Sequence, residues 1–263
     1  MKLKLYQIDA FTNTIFSGNP AAVCVLDKWL DEKLMQNIAA ENNLSETVFV
    51  VKNNSNYEIR WFTPTVEIDL CGHATLAAAY VLFLYFGIDA YEIVFHSARS
   101  GYLPVRKEPN DYFTLNFPTD VLLENKSVAT ELANALGCKP LETYRGTSNF
   151  MVVLSSQKEL EILSPNMLAL SKIDALGVIV TAKGDTVDFV SRFFAPQSGI
   201  NEDPVTGSAH TSLIPYWSKK LNKTKLQAKQ LSQRTGDLTC TYLGDRVEIS
   251  GQAVLYMVGK IRL

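Results

Sequence analysis

Several patterns that mark common protein classes are missing from this chain of 263 residues. Its 4 cysteines are scattered, without the spacing of a disulfide framework or a metal site. Its 3 histidines include no pair at metal-ligand spacing, and neither common type of glycine-rich nucleotide loop is present. These absences argue against a disulfide-rich secreted domain, a histidine-based metal centre and a nucleotide-binding motif, so we expect no metal site.

Charge of one sign and long apolar segments are missing as well. A net charge of −2, with both signs mixed along the chain, argues against a nucleic-acid footprint and a basic membrane patch. The longest apolar run, residues 74–86, is too short to span a membrane, and the first residues lack the apolar core of a signal peptide. We expect a cytoplasmic protein whose partner is a small molecule and not a nucleic acid or a membrane.

One pattern is present twice, once in each half of the chain. The first copy reads Arg60-Trp-Phe-Thr-Pro64, then acidic residues, then Cys71-Gly-His-Ala74, and the second reads Arg192-Phe-Phe-Ala-Pro196, then Glu202-Asp203, then Thr206-Gly-Ser-Ala209. Two unrelated strand–turn–helix connections could share such common residues, but the matched order favours a duplication. We predict an N-terminal lobe over residues 1–118, which the C-terminal strand could close, and a C-terminal lobe over residues 119–263.

Strand patterns are numerous in both halves, and helix patterns are fewer. The predicted strands cover residues 3–11, 22–26, 47–51, 57–62, 92–95, 112–117, 151–154, 177–181, 187–194, 238–243, 246–250 and 254–258. The predicted helices cover residues 31–42, 129–136, a segment that begins near Gly72, and residues 207–221. The helix at Gly72 has no polar face, which predicts burial all round, and Pro215 predicts a kink or break in the last helix. These patterns predict an α/β (α+β) fold in which each lobe wraps a barrel-like, mostly antiparallel sheet around a central helix.

Asn19 and Glu46 are candidate site residues at the ends of predicted strands. The segment Ser17-Gly-Asn-Pro20 is a turn signal, in which Asn19 either completes the turn or directs its amide into a site. Glu46 opens an apolar strand, where a carboxyl is partly removed from water and suits general acid/base catalysis. The alternative for Glu46 is a solvated glutamate at a strand end.

Both glycine-led helix starts are candidate anion sites. Facing each other across a cleft, Gly72 and Gly207 would offer backbone N–H groups and the positive ends of helix dipoles to a carboxylate. Ser208 adds a hydroxyl donor, although serine is also common at such places. The helix start favours the neutral ring of His73, which could relay a proton or cap its own turn. Asp203 could orient His73, accept a proton or serve as a plain cap.

The remaining reactive residues are given no catalytic role. His96 and His210 are interpreted as structural, because no metal-ligand spacing involves them. Cys71 beside His73 suggests a thiolate nucleophile, but neighbouring helix residues do not face each other and no triad partner is visible.

Together, these motifs resemble the PhzF-like isomerase family of phenazine biosynthesis, relatives of the diaminopimelate epimerases. The matching motifs are Asp9-Ala-Phe with Gly18-Asn-Pro20, Asn43-Leu-Ser-Glu-Thr47, Phe62-Thr-Pro64 with Asp69-Leu-Cys-Gly-His73, Glu202-Asp-Pro-Val-Thr-Gly-Ser-Ala209, and Pro215-Tyr-Trp217. The resemblance implies a diaminopimelate epimerase-like fold of two similar lobes, with the active site in the cleft between them. It also implies a cofactor-independent isomerase, usually a homodimer, whose best-known member acts on a dihydro-hydroxyanthranilate.

The resemblance also implies roles for individual residues. Glu46 matches the acid/base of the family, and His73 and Asp203 match supporting positions, so these three form the predicted catalytic group. The predicted substrate-binding residues are Asn19, Gly72, Gly207 and Ser208.

One position distinguishes this chain from the diaminopimelate epimerases, which are relatives of the PhzF-like family. That epimerase branch works with two cysteines, one before each glycine-led turn, whereas here Cys71 holds the first place and Thr206 the second. A threonine hydroxyl is too weakly acidic to serve as the second base, which argues against two-thiol racemisation.

Three functions remain open at this point. The predicted one is an isomerase that moves a proton within a small carboxylic acid by means of one carboxyl. The second is a racemase or epimerase of a small amino or hydroxy acid that uses Glu46 and another group, and the third is a ligand-binding relative without turnover. The resemblance does not fix the substrate, which need not be a phenazine precursor.

Overall fold

The computed structural model describes residues 2–54 and 56–263. The chain forms two compact units: Met1–Phe117 together with Ile249–Leu263, and Pro118–Glu248. Residues 249–263 belong to the first unit. The division of the sequence at residue 118 placed them in the C-terminal lobe, with the alternative that the C-terminal strand closes the N-terminal lobe. Within the described ranges, no helix is both long enough and apolar enough to cross a membrane.

The helices and strands are numbered in chain order. The helices are α1 (Glu32–Asn42), α2 (Gly72–Tyr85), α3 (Ala129–Leu136), α4 (Gln157–Glu161), α5 (Met167–Leu170) and α6 (His210–Leu221). The strands are β1 (Lys2–Ala10), β2 (Asn19–Leu26), β3 (Glu46–Asn53), β4 (Asn56–Phe62), β5 (Glu67–Ile68), β6 (Glu92–Ser97), β7 (Gly101–Glu108), β8 (Tyr112–Pro118), β9 (Leu123–Glu124), β10 (Glu142–Arg145), β11 (Asn149–Val153), β12 (Gly177–Lys183), β13 (Phe189–Ala195), β14 (Ile200–Asp203), β15 (Lys225–Gln230), β16 (Gly236–Tyr242) and β17 (Arg246–Arg262).

The first unit is a closed barrel around α2. From β1 the pairing runs to β2, β3, β4, β6, β7 and β8, and β17 closes the ring by pairing with both β8 and β1. The pairs β2–β3 and β4–β6 are parallel, and the other pairs of known register are antiparallel. Every residue of α2 from Gly72 to Phe83 is buried, because the helix has no polar face to present to water. The predicted burial all round fails only at the end of the helix, where Leu84 and Tyr85 are exposed. The predicted central helix is confirmed.

The second unit repeats the strand order of the first. Strand β10 pairs antiparallel with β11, β11 parallel with β12, β12 antiparallel with β13, β13 parallel with β15, and β15 antiparallel with β16. This is the sequence of parallel and antiparallel steps seen from β1 to β7. Helix α6 packs on β15 and β16, and its Trp217 ring stacks on Phe189 of β13. The predicted pair of similar units is confirmed.

The duplicated motif forms the same ion pair in each unit. Arg60 donates to both carboxylate oxygens of Glu67 at 2.6 and 2.7 Å, and Arg192 donates to both oxygens of Glu202 at 2.7 and 2.9 Å. Each guanidinium also lies over the phenylalanine ring two residues further along, at 5.2 and 4.9 Å from the ring centroid. Bidentate pairing of this kind fixes the orientation of both partners, so each acidic strand is tied to its neighbour in the same way.

Helix α6 differs from the helix predicted over residues 207–221 in where it begins and in how it passes Pro215. The helix begins at His210, and residues 207–209 form a turn with a bond from His210 N–H to the carbonyl of Gly207. The helix also runs unbroken through Pro215. Proline lacks the N–H that would bond the carbonyl of Thr211, and the N–H of Asp120 donates to that carbonyl instead at 3.2 Å. The predicted break is therefore wrong.

The last strand is longer than predicted, and several other strands were not predicted from the periodicity of apolar residues. A break was predicted between residues 250 and 254, but β17 is continuous. A Cβ atom at Gly251 would lie 2.4 Å from the Phe11 ring, so the glycine there permits a close approach and does not mark a turn. Strands β7, β10 and β15 were not predicted; β7 contains Pro104, which pattern reading takes as a strand breaker.

Candidate functional site

Glu46 is the first residue of β3 and is 6% exposed. Helix α1 stops just before it, because Asn43 adopts a left-handed conformation (φ 49°) at the helix end. The side chain of Asn42 then donates to the hydroxyl of Thr47 at 3.0 Å. Since β3 pairs in parallel with β2, Glu46 lies opposite Ala21 in the barrel wall. The predicted partial desolvation of this carboxyl is confirmed by its burial.

His73 is the second residue of α2 and is 2% exposed. Cys71 is the N-cap, but its side chain caps no backbone N–H. The first N–H groups of the helix have no acceptor within the helix, and the positive end of the helix dipole lies at the ring of His73. Both features favour a neutral imidazole and a nearby anion.

Asn19, Glu46, Cys71 and His73 form a connected group inside the first unit. The His73 ring has Nε2 at 3.1 Å from Oε2 of Glu46. Its other nitrogen, Nδ1, lies 3.0 Å from Nδ2 of Asn19 and 3.4 Å from Sγ of Cys71. The expectation that Cys71 and His73 would not face each other is therefore wrong, because Cys71 is the N-cap and not a residue of the helix itself. The Glu46 and His73 groups are thus close enough to share one proton, and catalytic contacts of this kind often align fully only when substrate binds.

The position of Asn19 depends on the glycine before it. Gly18 has φ +64°, and a Cβ atom there would lie 2.2 Å from the carbonyl oxygen of Ala10. Only glycine fits this turn. Asn19 follows as the first residue of β2, pairs with Ala10 of β1 and is fully buried. The segment is therefore a turn, and the amide of Asn19 contacts His73. Both alternatives for Asn19, completing the turn and directing its amide into the site, hold together.

The same group contains three atoms of types that ligate metal ions. Glu46, Cys71 and His73 offer ligand atoms that lie within 4.8 Å of one another. However, Cys71 approaches Nδ1 of the ring and Glu46 approaches Nε2. One ion can bind only one ring nitrogen, because the two lone pairs point to opposite edges of the imidazole. The arrangement fits a chain of proton contacts through the ring better than a chelate.

In the second unit, Asp203 is 7% exposed and bonded to the turn that follows it. The hydroxyl of Thr206 donates to Oδ2 of Asp203. Gln230 holds the same turn: its amide nitrogen, Nε2, donates to the Asp203 carbonyl (2.8 Å) and to the Thr206 hydroxyl (3.1 Å), and its Oε1 accepts from Thr206 N–H (2.8 Å). Thr206 is thus a donor to a carboxylate, which does not suit a base.

Gln230 is a residue that sequence reasoning missed. It is fully buried at the end of β15. The signal was present, because Leu226, Ala228 and Gln230 lie at alternate positions and share one face of the strand. A polar residue on an otherwise apolar face requires buried hydrogen-bond partners.

The other predicted residues of the second unit have local roles in the structure. Ser208 is half-buried, and its carbonyl accepts from the hydroxyl of Thr211 at 2.7 Å. His210 is fully buried, and its Nδ1–H donates to the carbonyl of Thr206 at 2.9 Å. Burial lowers the pKa of His210 to about 4, although the bond to Thr206 opposes this shift. In the first unit, His96 stands on β6 beside the ring of Tyr102.

Comparisons with known proteins agree over the whole chain. The sequence profile of the phenazine biosynthesis-like protein family (PhzC-PhzF) matches residues 8–259. An uncharacterized isomerase of Pseudomonas aeruginosa is 51% identical, with 100% of both chains aligned. A crystal structure of a PhzF-family phenazine biosynthesis protein from Enterococcus faecalis is also 51% identical, with a TM-score of 0.95 over 100% of both chains.

A more distant likeness concerns the fold alone. The crystal structure of a hydroxyproline epimerase from Agrobacterium vitis aligns with a TM-score of 0.69 over 99% of this chain and 92% of its own, at 10% identity. The duplicated topology, the Glu46–His73 pair and the profile match over residues 8–259 lead to one conclusion. This chain belongs to the PhzC-PhzF family of PhzF-like isomerases.

Proposed function

We propose that the protein is a cofactor-independent isomerase that moves a proton within a small carboxylic acid, with the Glu46 carboxyl as its general acid/base. The observation that carries this proposal is the buried contact of 3.1 Å between Glu46 and His73 at the start of α2. A general base must be held within reach of the substrate and shielded from bulk water. Glu46 combines burial, a fixed strand position and a neighbour that can hold a proton.

The reaction follows from one carboxyl acting twice. The ionised Glu46 accepts a proton from a carbon made acidic by a neighbouring double bond, and the electron pair of the broken C–H bond moves into the conjugated system. The protonated carboxyl then returns the proton to another carbon of that system, and the electron pair forms the new C–H bond. Because one group removes and returns the proton, both steps take place on one face of the substrate.

His73 would support this cycle without leaving its neutral form. The helix dipole disfavours the imidazolium ion at this end of α2. A neutral ring beside Glu46 can donate to the ionised carboxyl and let the proton pass to carbon. Asp203 remains a predicted supporting residue, and its carboxylate accepts from the hydroxyl of Thr206.

The carboxylate of the substrate would bind to backbone N–H groups at the start of α2. Gly72 is buried there and brings no side chain between the backbone and a ligand. Gly207 and Ser208 remain predicted substrate-binding residues on the strength of the family resemblance. The sequence predicts the same role for Asn19, but its contact with His73 supports a different one. The homodimer and the cytoplasmic setting are likewise predictions, which gel filtration and fractionation of cells would test.

A racemase or epimerase is the second candidate, because Cys71 holds the first of the two cysteine places of the epimerase branch and lies 3.4 Å from Nδ1 of His73. Such an enzyme needs a second proton-transfer group on the opposite face of the substrate. Thr206 does not suit that task, because its hydroxyl already donates to Asp203 and is weakly acidic. The one-carboxyl isomerase is therefore preferred, and binding without turnover is the remaining alternative.

Hydrogen exchange in heavy water tests the proposal on many candidate substrates at once. The purified protein is incubated with a panel of small unsaturated, hydroxy and amino carboxylic acids, and deuterium at carbon is followed by NMR. Uptake of deuterium with a shifted double bond and no loss of optical rotation supports the isomerase. Uptake with racemisation supports the epimerase, and binding without uptake supports the non-catalytic alternative.

A further inference from the structure

We propose that Asn19 is a positioning residue that fixes the tautomer of His73, so that the ring proton faces Glu46. The assignment deepens the proposed function and rests on Glu46 as its acid/base. Nδ2 of Asn19 lies 3.0 Å from Nδ1 of His73, inside the barrel unit. An amide nitrogen can only donate, so Nδ1 accepts and carries no proton.

The proton of the neutral ring must then be on Nε2. That nitrogen lies 3.1 Å from Oε2 of Glu46, and the side chains of His73 and Glu46 are only 3% and 8% exposed. The two atoms are in contact but are not aligned as a hydrogen bond in this structure. A small turn of the Nε2–H group into line with the oxygen would stabilise the ionised carboxyl, which is the form that takes a proton from carbon. With the opposite tautomer, a bare nitrogen lone pair would face the carboxylate across the same short distance.

Asn19 also acts on Cys71 through the same ring nitrogen. Sγ of Cys71 lies 3.4 Å from Nδ1 of His73. If the thiol passed its proton to the ring, the new Nδ1–H would face the amide donor of Asn19, and two donors would oppose each other at 3.0 Å. Asn19 therefore favours the thiol form of Cys71 and leaves proton transfer to Glu46.

The backbone around Asn19 is rigid enough for this task. Asn19 is fully buried and paired with Ala10 at the first position of β2. Gly18 turns the chain tightly against the Ala10 carbonyl just before it. A residue that fixes a catalytic tautomer needs a fixed backbone position, and the start of the strand provides that position for Asn19.

The tautomer can be measured directly in the wild-type protein. Protein labelled with ¹⁵N-histidine is studied by long-range proton–nitrogen NMR at neutral pH, and the His73 signals are identified by their loss in His73→Gln. The proposal predicts a bare Nδ1 and a protonated Nε2. A protonated Nδ1 with a bare Nε2, or a doubly protonated ring, would overturn it. The tautomer measurement needs no substrate. Its outcome is therefore independent of the deuterium-exchange assay that tests the proposed function.

A variant that reverses the polarity at the same place sharpens the test. Asn19→Asp puts an acceptor where the amide donor stood, so the proton should move to Nδ1 or the ring should become doubly protonated. Asn13→Asp, at an exposed position of the same unit, adds the same charge and should leave the ring unchanged. An unchanged tautomer in a folded Asn19→Asp variant contradicts the proposal. If the Asn19→Asp variant does not fold, the NMR measurement of the His73 tautomer in the wild-type protein tests the proposal by itself.

Kinetics separate positioning from substrate binding once a substrate of the exchange reaction is identified. Asn19→Ala should lower kcat at least about tenfold, while KM stays within a few-fold of wild type. A substrate-binding role predicts the reverse, a raised KM with nearly unchanged kcat. That reverse pattern would contradict the positioning role.

Discussion

Nε2 of His73 and Oε2 of Glu46 lie 3.1 Å apart, although one residue opens helix α2 and the other opens strand β3. The barrel brings the two element starts together, because α2 packs against β1, β2 and β3 inside the ring of strands. Both side chains are buried, so a proton passed between them would be protected from exchange with bulk water. This pair is the basis of the proposed proton transfer.

The role of Cys71 is tested by its removal. Cys71→Ala should keep most of the exchange activity, because the thiol contacts His73 on the edge of the ring that faces away from Glu46. Activity is compared by deuterium uptake under identical conditions, with thermal unfolding as a check of the fold. Loss of activity in a well-folded Cys71→Ala protein would restore the epimerase mechanism.

Thiol alkylation gives a second measure of the same point. Burial raises the pKa of Cys24 to about 12 and that of Cys138 to about 11, so neither is a ready thiolate near neutral pH. Alkylation of the native protein at about pH 8, close to the ordinary pKa of a free thiol, should inactivate slowly. Mass spectrometry should place any inactivating adduct on Cys71, where it blocks the site by its bulk. Rapid inactivation at one equivalent of reagent would indicate a reactive thiolate.

Gln230 should be important for the stability of the Asp203 turn. Gln230→Leu keeps the approximate size of the side chain but removes three buried hydrogen bonds to Asp203 and Thr206. Leaving those partners unpaired should lower the free energy of unfolding by about 2 kcal/mol or more, as measured by urea denaturation.

The matched control for Gln230 lies on the same strand. Gln227→Leu removes an exposed amide whose bond is to the hydroxyl of Thr239, and its effect should stay within about 0.5 kcal/mol. Equal effects of the two substitutions would show that the Gln230 network contributes no special stability.

His210 should make the protein less stable in mild acid. Its folded-state pKa is about 4, below the ordinary value of 6.5, and its Nε2 has no hydrogen-bond partner among the described residues. Protons therefore bind preferentially to the unfolded chain as the pH falls. The stabilising contribution is fully present above pH 6.5 and is lost progressively towards pH 4.

The measurement compares wild type with His210→Gln, which can still donate to the Thr206 carbonyl but does not titrate. Between about pH 6.5 and about pH 5, wild type should lose about 1.5 kcal/mol more unfolding free energy than the variant. The other acid-sensitive groups are the same in both proteins, so the difference isolates His210. Parallel pH profiles would contradict the assignment.

The sequence predicted the features that depend on local chemistry. The helix predicted over residues 31–42 is α1, and the carboxylate of Asp31 caps it by accepting from two N–H groups of the first turn. The apolar helix after Gly72 and the polar residue Glu46 at a strand start were readable because periodicity and burial follow directly from residue type. The repeated motif likewise predicted two units of the same topology, which the strand pairings confirm.

The features that were missed depend on contacts between distant segments. The continuation of α6 through Pro215 requires the N–H of Asp120, which comes from another part of the second unit. The contact between Asn19 and His73 requires the pairing of β1 with β2 as well as the position of α2 in the barrel. No local pattern contains such partners, and only tertiary packing brings them together.

The central claim is that the Glu46 carboxyl carries the proton, and Glu46→Gln tests it most directly. The substitution keeps the shape of the side chain and removes its titrating group, while Glu41→Gln, at an exposed position of α1, serves as the matched control. On any substrate found by deuterium uptake, Glu46→Gln should exchange at least about 10²-fold more slowly than wild type, and Glu41→Gln should match wild type. Exchange by a folded Glu46→Gln protein within a few-fold of the wild-type rate would contradict the account.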